Sequence, residues 1–289
     1  MYLALAAVTL AGAQGPPSTD IFLAALHERG GRIEIGAPIN VTHRAGYDNQ
    51  PSFAPDGRSF LYTAVADGQA DIWRYDLAAG RGARVTATPE SEYSPTPLPD
   101  GSGFSVVRVE ADSTQRLGRF GWDGGSPTLI LAGVKPVGYH AWGDAHTVAL
   151  FVLGQPPTLQ VADTRSGAAT PVASDIGRGV HRIPGRQAIS FVQKGAPSDS
   201  AWTVTEFDLT TRRTRPLVAT LPGVDQYAWT PRRMLLMAKG AKLFQWSPAR
   251  GANWEEVADF GALGIENITR LAVSPRGDRL ALVAADHTP

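Results

Sequence analysis

The sequence predicts an all-β protein: a six-bladed β-propeller whose blades are four-stranded antiparallel sheets. Three observations predict this fold. Proline turns recur about every 44 residues, each repeat contains several short β-forming segments separated by turns, and the two chain ends together supply one further blade. The 31 glycines and 22 prolines among 289 residues fit a protein that is rich in turns.

The repeat is marked by a turn residue that recurs through the chain. The markers are Pro55, Pro99, Gly143, Pro184, Pro231 and Pro275, separated by 44, 44, 41, 47 and 44 residues. After the first marker, residues 59–65 and 71–77 are rich in β-forming side chains, and residues 84–87 form a shorter segment. Asp-Gly pairs favour tight turns between such segments, because glycine accepts positive φ. With the segment before the marker, each unit supplies the four short strands that are typical of a propeller blade.

The sixth blade is predicted to combine both ends of the chain. Five full units end near Phe260, and residues 270–284 then supply only two more strands. Residues 20–26 resemble the third strand of the first full unit, and residues 33–42 take the place of an outermost strand. Because this closure leaves no free sheet edge between the first and last blades, we expect residues 14–289 to form one complete propeller domain.

Composition and charge argue against several classes of protein. Lys plus Arg and Asp plus Glu each number 27, and this balance argues against a nucleic-acid partner and against a polybasic membrane anchor. The absence of cysteine excludes disulfides, thiolate metal sites and cysteine nucleophiles. No stretch is long enough to predict a membrane-spanning helix. The apolar residues 3–10 and the small residues that follow predict a signal peptide over residues 1–13, and therefore a periplasmic or secreted protein.

The first full unit carries a family resemblance. Residues 51–57, Pro-Ser-Phe-Ala-Pro-Asp-Gly, are followed by residues 71–73, Asp-Ile-Trp, and by Asp76 and Leu77. These residues resemble the TolB-like propeller repeat, also called the WD40-like or PD40 repeat. The resemblance implies a fold but no chemistry. TolB is a periplasmic protein that works with envelope lipoproteins and has an α/β domain before its propeller. We expect no such domain before residue 20, so TolB's own role is not carried over. The same repeat forms the gate of prolyl-oligopeptidase-type peptidases, whose Gly-x-Ser-x-Gly elbow does not occur here.

Two histidines stand out at the ends of the innermost strands, where propellers usually bind. Three residues before the markers stand Ser52, Thr96, His140, His181, Ala228 and Ala272. Four of these residues are small, as close packing near the axis requires, so His140 and His181 break the pattern on neighbouring blades. They predict either a polar or metal-coordinating channel lining or two partly buried histidines bonded to backbone or water. Two residues before each marker the side chains are apolar in every unit but one, and the exception is the charged Arg182.

The loops leading into the innermost strands combine aromatic residues with acids or amides. Such a rim can stack a sugar or a peptide and bond its polar edges, or it can be a solvated loop set whose tyrosines anchor the blades. Four of its residues, an acid or an amide in each case, also match by type the metal-holding ring of lactonase propellers: Asn49, Glu92, Asp225 and Asn267. The candidate binding residues are Asp48, Asn49, Glu92, Tyr93, Tyr139, His140, His181, Arg182, Asp225, Tyr227 and Asn267.

We therefore expect an exported binding or scaffold propeller that recognises a protein, a peptide or a glycan at one face of the disc. The sequence contains no P-loop, no His-Glu-x-x-His motif and no dinucleotide-binding glycine motif. We predict no catalytic residue, no metal site and no cofactor. The alternative is a small-molecule enzyme, a hydrolase of the lactonase type, with its site at the mouth of the channel. A third interpretation is a purely structural module of an envelope assembly.

Overall fold

The computed structural model describes residues 17–196, 202–251 and 253–285. The predicted signal peptide, residues 1–13, lies outside these described residues. Two 3₁₀ turns, Pro248–Arg250 and Gly261–Leu263, accompany the strands. The strands are β1 (Thr19–Arg29), β2 (Arg32–Ile35), β3 (Ile39–Asn40), β4 (Asp48–Phe53), β5 (Ser59–Ala66), β6 (Gln69–Asp76), β7 (Arg81–Arg84), β8 (Ser91–Pro97), β9 (Gly103–Val109), β10 (Gln115–Gly121), β11 (Thr128–Leu129), β12 (Val137–Trp142), β13 (Thr147–Val152), β14 (Thr158–Asp163), β15 (Ala169–Ser174), β16 (Ile176–Arg182), β17 (Ala188–Gln193), β18 (Thr203–Asp208), β19 (Thr214–Ala219), β20 (Ala228–Trp229), β21 (Leu235–Lys239), β22 (Lys242–Trp246), β23 (Glu255–Asp259), β24 (Arg270–Val273) and β25 (Arg279–Ala285).

The strands form six antiparallel sheets, arranged as the blades of a propeller. Blades 1 to 5 each contain four strands that are consecutive in the chain: β4–β7, β8–β11, β12–β15, β16–β19 and β20–β23. Blade 6 combines β24 and β25 with β1, and both β2 and β3 pair with β1. The predicted all-β fold with six blades is therefore confirmed.

Blade 6 closes the ring by pairing the two ends of the chain. β1 runs antiparallel to β25, with Thr19 opposite Ala285, and Ile21 within this pairing is fully buried. A parallel bridge also joins Thr19 to Tyr47, at the beginning of blade 1. The N-terminal strand thus occupies the third position of its blade, as its likeness to the third strand of the first full unit predicts.

The hydrophobic cores lie between neighbouring blades, because side chains alternate between the two faces of each strand. In β5, Phe60 and Tyr62 pack in one cluster with Ile21 of blade 6. The intervening Leu61 packs in another cluster with Phe104 of blade 2. Each of these side chains is at most 3% exposed. A blade therefore needs both of its neighbours in order to bury its two faces.

Each innermost strand ends in a tight turn at one face of the disc, which we call the turn face. In blades 1, 2 and 6 the fourth turn residue is Gly57, Gly101 or Gly277, with φ of 68°, 73° and 69°. Its N–H donates to the carbonyl three residues earlier. Glycine is favoured here because other residues are strained at positive φ. We call the opposite face, at which the innermost strands begin, the start face.

Candidate functional site

The innermost strands of all six blades surround a cavity on the axis of the disc. This channel has a volume of about 650 Å³, and β4, β8, β12, β16, β20 and β24 all contribute to its lining. Three arginines line it, Arg178, Arg182 and Arg270, and no aspartate or glutamate of the described ranges does so. The described lining of the channel is therefore positive, and a carboxylate that compensates one of these arginines must lie outside that lining.

A side chain crosses the channel near the start face. Arg270 at the beginning of β24 belongs to blade 6, and Tyr139 in β12 belongs to blade 3, on the opposite side of a six-membered ring. Arg270 Nη2 donates to Tyr139 Oη at 2.8 Å, and its guanidinium lies 4.8 Å from the centroid of the Tyr139 ring. Arg270 Nη1 also donates to Gln226 Oε1 at 3.1 Å. We call these three residues the channel bridge.

A second arginine beside the bridge is neutralised by a carboxylate. Arg178 donates from its Nε and Nη2 to the two carboxylate oxygens of Asp225, each at 3.1 Å. Burial alone would raise the pKa of Asp225, but its bonds to Arg178 outweigh burial and lower that pKa. The bridge partners of Arg270, in contrast, are an uncharged phenol and an uncharged amide. Arg270 is therefore the arginine whose charge remains uncompensated at this end of the channel.

The two candidate histidines both line the channel, and both are uncharged at neutral pH. His140 is 6% exposed, and its Nε2 lies 2.7 Å from Ser105 Oγ; burial lowers its pKa to about 3. The His181 ring meets the Tyr227 ring edge to face, with centroids 4.6 Å apart. Burial, assisted by the charge of Arg270, lowers the pKa of His181 to about 4. His140 Nδ1 and His181 Nε2 have no hydrogen-bond partner among the described groups.

Two acidic candidates lie between the blades rather than in the channel. Asp48 is fully buried and forms an ion pair of 2.7 Å with Arg44, and burial raises its pKa to about 6. Glu92 is also fully buried and accepts hydrogen bonds from the hydroxyls of Thr86, at 3.0 Å, and Thr88. Burial raises the pKa of Glu92 to about 7. Both carboxylates therefore join parts of the blades to one another.

Three uncharged candidates also serve the packing of the blades. Asn49 is 6% exposed, and its amide donates to Thr19 Oγ1 at 3.4 Å. Tyr93 is half-buried and packs against the cluster between blades 2 and 3. Tyr227 is 1% exposed, and its hydroxyl donates to Ser190 Oγ at 2.8 Å.

The remaining candidates lie at the two faces of the disc. Asp225 and the exposed Asn267 line a smaller pocket of about 280 Å³ at the start face, together with Lys239 and Arg270. Arg182 lies at the turn-face end of the channel. The structure thus brings Tyr139 and both histidines together with Arg182 along the channel. It does not bring together the four residues that matched a lactonase ring, because Asn49 and Glu92 line neither of these two cavities.

Tyr227→Phe tests whether the hydroxyl of Tyr227 is structural. Trp229 Nε1 also donates to Ser190 Oγ, at 2.8 Å, so the variant removes one of two bonds to that oxygen. We expect a loss of about 1 kcal/mol in the free energy of unfolding, measured by urea titration, and no change in ligand binding. Unchanged stability together with lost binding would contradict this structural role.

Comparison of the sequence with known proteins finds a curated relative of part of the chain. No known family model matches the chain. The uncharacterized protein Atu1656 of Agrobacterium fabrum (strain C58 / ATCC 33970) is 30% identical over 80 residues, which cover 28% of this chain and 27% of that protein. The chain therefore spans about a quarter of the length of this curated relative.

Solved structures with the same architecture cover nearly the whole chain. A TolB-type protein from Agrobacterium tumefaciens matches with a TM-score of 0.71 and 15% identity, over 94% of this chain and all of that one. TolB from Acinetobacter baumannii matches with a TM-score of 0.59 and 14% identity, over 92% of this chain and 64% of that one. A gluconolactonase from Xanthomonas campestris matches with a TM-score of 0.64 and 9% identity, over 95% of this chain and 99% of that one. The fold is that of a TolB-like propeller, and a gluconolactonase shares its architecture. No described helix is long and apolar enough to cross a membrane.

Proposed function

We propose that this chain, which has a TolB-like propeller fold, is an exported, non-catalytic binding module. Its protein partner docks at the central channel. One observation carries the proposal: a cavity of about 650 Å³ on the axis, with arginines in its wall and no acidic residue among its described lining. Export rests on the predicted signal peptide. The TolB structures that share the fold favour a protein as the partner.

The protonation states of the channel histidines support binding over proton transfer. A general acid or base works best when its pKa lies near the operating pH. The pKa values of His140, about 3, and His181, about 4, lie well below that range. The unpartnered nitrogens, His140 Nδ1 and His181 Nε2, are buried in the wall, so the charged groups that a ligand meets in the channel are the arginines of its lining. Arg270 adds the charge that would attract a carboxylate.

The test is capture of a partner by the tagged chain, starting at Gln14, from an extract of its own cell envelope. The variant Arg270→Gln/Tyr139→Phe removes the bridge charge and its hydroxyl acceptor. The control Arg81→Gln removes an exposed arginine on the outermost strand of blade 1. We expect one partner to be captured by the wild type and the control, and at least tenfold less of it by the bridge variant at an unchanged melting temperature.

Two results would overturn the proposal. Capture by the bridge variant at the wild-type level would place the interface away from the channel. Hydrolysis of lactones by the wild type, lost in the bridge variant, would replace the binding module with the alternative, an enzyme that acts at the channel mouth. The gluconolactonase with the same fold makes lactones the first substrates to test.

A further inference from the structure

A second cavity opens on the turn face, between blades 4 and 5. Its volume is about 620 Å³. Blade 4 contributes Ile183, Arg186 and Leu217, and blade 5 contributes Trp229 and Trp246. Trp229 lines both this cavity and the axial channel, and Ile183 directly follows Arg182 of the channel. The two cavities therefore meet at Trp229, and the second one extends outward between the blades as a radial groove.

The radial groove has a strong local excess of positive charge. Four arginines line it, Arg186, Arg215, Arg232 and Arg233, with Glu206 as the single acidic residue of the described lining. Glu206 is 3% exposed and is already held by two of these arginines, Arg186 and Arg215, at 2.6 Å each. The whole chain, in contrast, has 27 basic and 27 acidic residues. The excess is thus a property of this groove and not of the molecule.

The other two arginines of the groove, Arg232 and Arg233, have no carboxylate of the described residues within ion-pair distance. Arg232 donates to the backbone carbonyl of Glu28, at 3.4 Å. Neither Arg233 nor the exposed Arg182 at the channel mouth has an ion-pair partner among the described residues. Three guanidinium groups around Trp229 are thus available to an anionic ligand.

The turns beside the groove depart from the repeat in a second, independent way. The fourth turn residue, which is glycine in blades 1, 2 and 6, is Arg186 in blade 4 and Arg233 in blade 5, each with the same backbone hydrogen bond to the carbonyl three residues earlier. Arg233 takes φ of 66° at this position, a conformation that strains a residue with a Cβ. The same turn in blades 1, 2 and 6 avoids this strain with glycine, and backbone strain of this kind is common at functional sites. Both arginines face the same groove.

We propose that the radial groove binds an acidic polypeptide segment of the protein partner, which continues outward from the channel. This inference rests on the proposed function, since it assumes a protein ligand at the channel. The floor of the groove is apolar, with Ile183, Leu217 and Trp246, and its rim is cationic. A peptide that carries both apolar and acidic side chains complements floor and rim together. An acidic glycan has carboxylates but no apolar side chain to pack on the partly exposed Leu217.

The test measures binding of labelled polymers by fluorescence anisotropy. The probes are a random copolymer of glutamate and tyrosine, polyglutamate, a copolymer of lysine and tyrosine, and oligogalacturonate as an acidic glycan. We expect the glutamate–tyrosine copolymer to bind most tightly, and its affinity to fall with rising salt because the contacts are ionic. The lysine–tyrosine copolymer is expected not to bind.

The variant Arg233→Gly restores the glycine of the repeat and removes one charge. We expect it to melt at or above the wild-type temperature, because the strained φ is relieved, and to bind the glutamate–tyrosine copolymer at least fivefold more weakly. Arg182→Gln/Arg233→Gly should weaken binding at least tenfold. The control Arg81→Gln/Arg119→Gln loses the same charge at exposed positions of blades 1 and 2 and should bind like the wild type.

The outcomes separate this inference from the proposed function. If the groove variants bind the copolymer normally and Arg270→Gln/Tyr139→Phe does not, the proposed groove site is wrong and the proposed channel site stands. Binding that no variant changes, or no binding at all, would overturn the groove, while capture of the partner from the extract decides separately on the channel. Oligogalacturonate bound as tightly as the copolymer, and equally dependent on Arg233, would replace the peptide with an acidic glycan.

Discussion

Deletion of residues 18–42 is expected to abolish the cooperative thermal unfolding of the protein. The deletion removes β1, β2 and β3, which form the outer half of blade 6. β1 contributes to two cores at once: Ile21 packs in the cluster between blades 6 and 1, and Leu26 packs in the cluster between blades 5 and 6. Both cores would be opened to water, and β25 would become a free sheet edge.

The expected size of this effect follows from burial. Truncating one buried Leu or Ile to Ala costs about 2–5 kcal/mol, and the deletion removes Ile21, Leu26 and Ile33, each at most 4% exposed. The whole stability of a domain is only about 5–15 kcal/mol. The measurement is a circular dichroism melt, with a chain starting at Gln14 as the control that should melt like the full chain. A deleted chain with an unchanged cooperative melt would refute closure by the two chain ends.

The blade count and the closure could be predicted because they depend on local patterns. Turn residues at a regular spacing and alternating side chains specify a blade, and the likeness of residues 20–26 to a third strand specifies where the ring closes. The structure confirms this even for blades 3 to 5, where the repeat is weak. Packing between blades tolerates many apolar side chains as long as the alternation is kept. Sequence patterning therefore carries most of the information about this fold.

The residues that face the channel were harder to predict, because bulges interrupt the innermost strands. The pairing of β4 with β5 shifts register between Asn49 and Ser52, and that of β8 with β9 shifts between Tyr93 and Thr96. At the bulges, Gln50 and Ser94 take φ of 59° and 53°. Counting back from the turn markers therefore fails beyond the bulge. Gln50 and Ser94 line the channel, and the neighbouring candidates Asn49 and Tyr93 pack among the blades.

A repeat comparison detects only Tyr139 of the channel bridge and misses Arg270 and Gln226. Arg270 and Tyr139 are 131 positions apart in the chain and come from opposite blades. Arg270 does not recur at its position in the other units, and the tyrosine that corresponds to Tyr139 in blade 5, Tyr227, is buried in the packing of the blades. The available signal was a long cationic side chain at the very beginning of an innermost strand. Its meaning depends on which side chain stands across the axis, and only the closed ring determines that.

Glu92→Gln is expected to make the protein more stable than the wild type at alkaline pH. Glu92 is fully buried, and its hydrogen-bond partners, Thr86 and Thr88, are uncharged hydroxyls. Burial raises the pKa of its carboxyl from 4.5 to about 7 in the folded protein. Between these two values the folded state binds the proton more tightly than the unfolded state does. Stability therefore falls as the pH rises through this window, and the loss is complete above pH 7.

The glutamine variant resembles the protonated acid and escapes this loss. A difference of 2 to 3 pKa units corresponds to about 3 kcal/mol, so Glu92→Gln should exceed the wild type by about that amount at pH 8 and match it near pH 4.5. Asp48, whose pKa is raised to about 6 by burial, adds a pH dependence of the same sign that persists in both proteins. The measurement is the free energy of unfolding in urea from pH 4.5 to 8, with the exposed Glu34→Gln as the matched control. A gap between Glu92→Gln and the wild type that does not widen with pH would show that this carboxyl is already ionised in the folded blade, held by partners other than the two threonines.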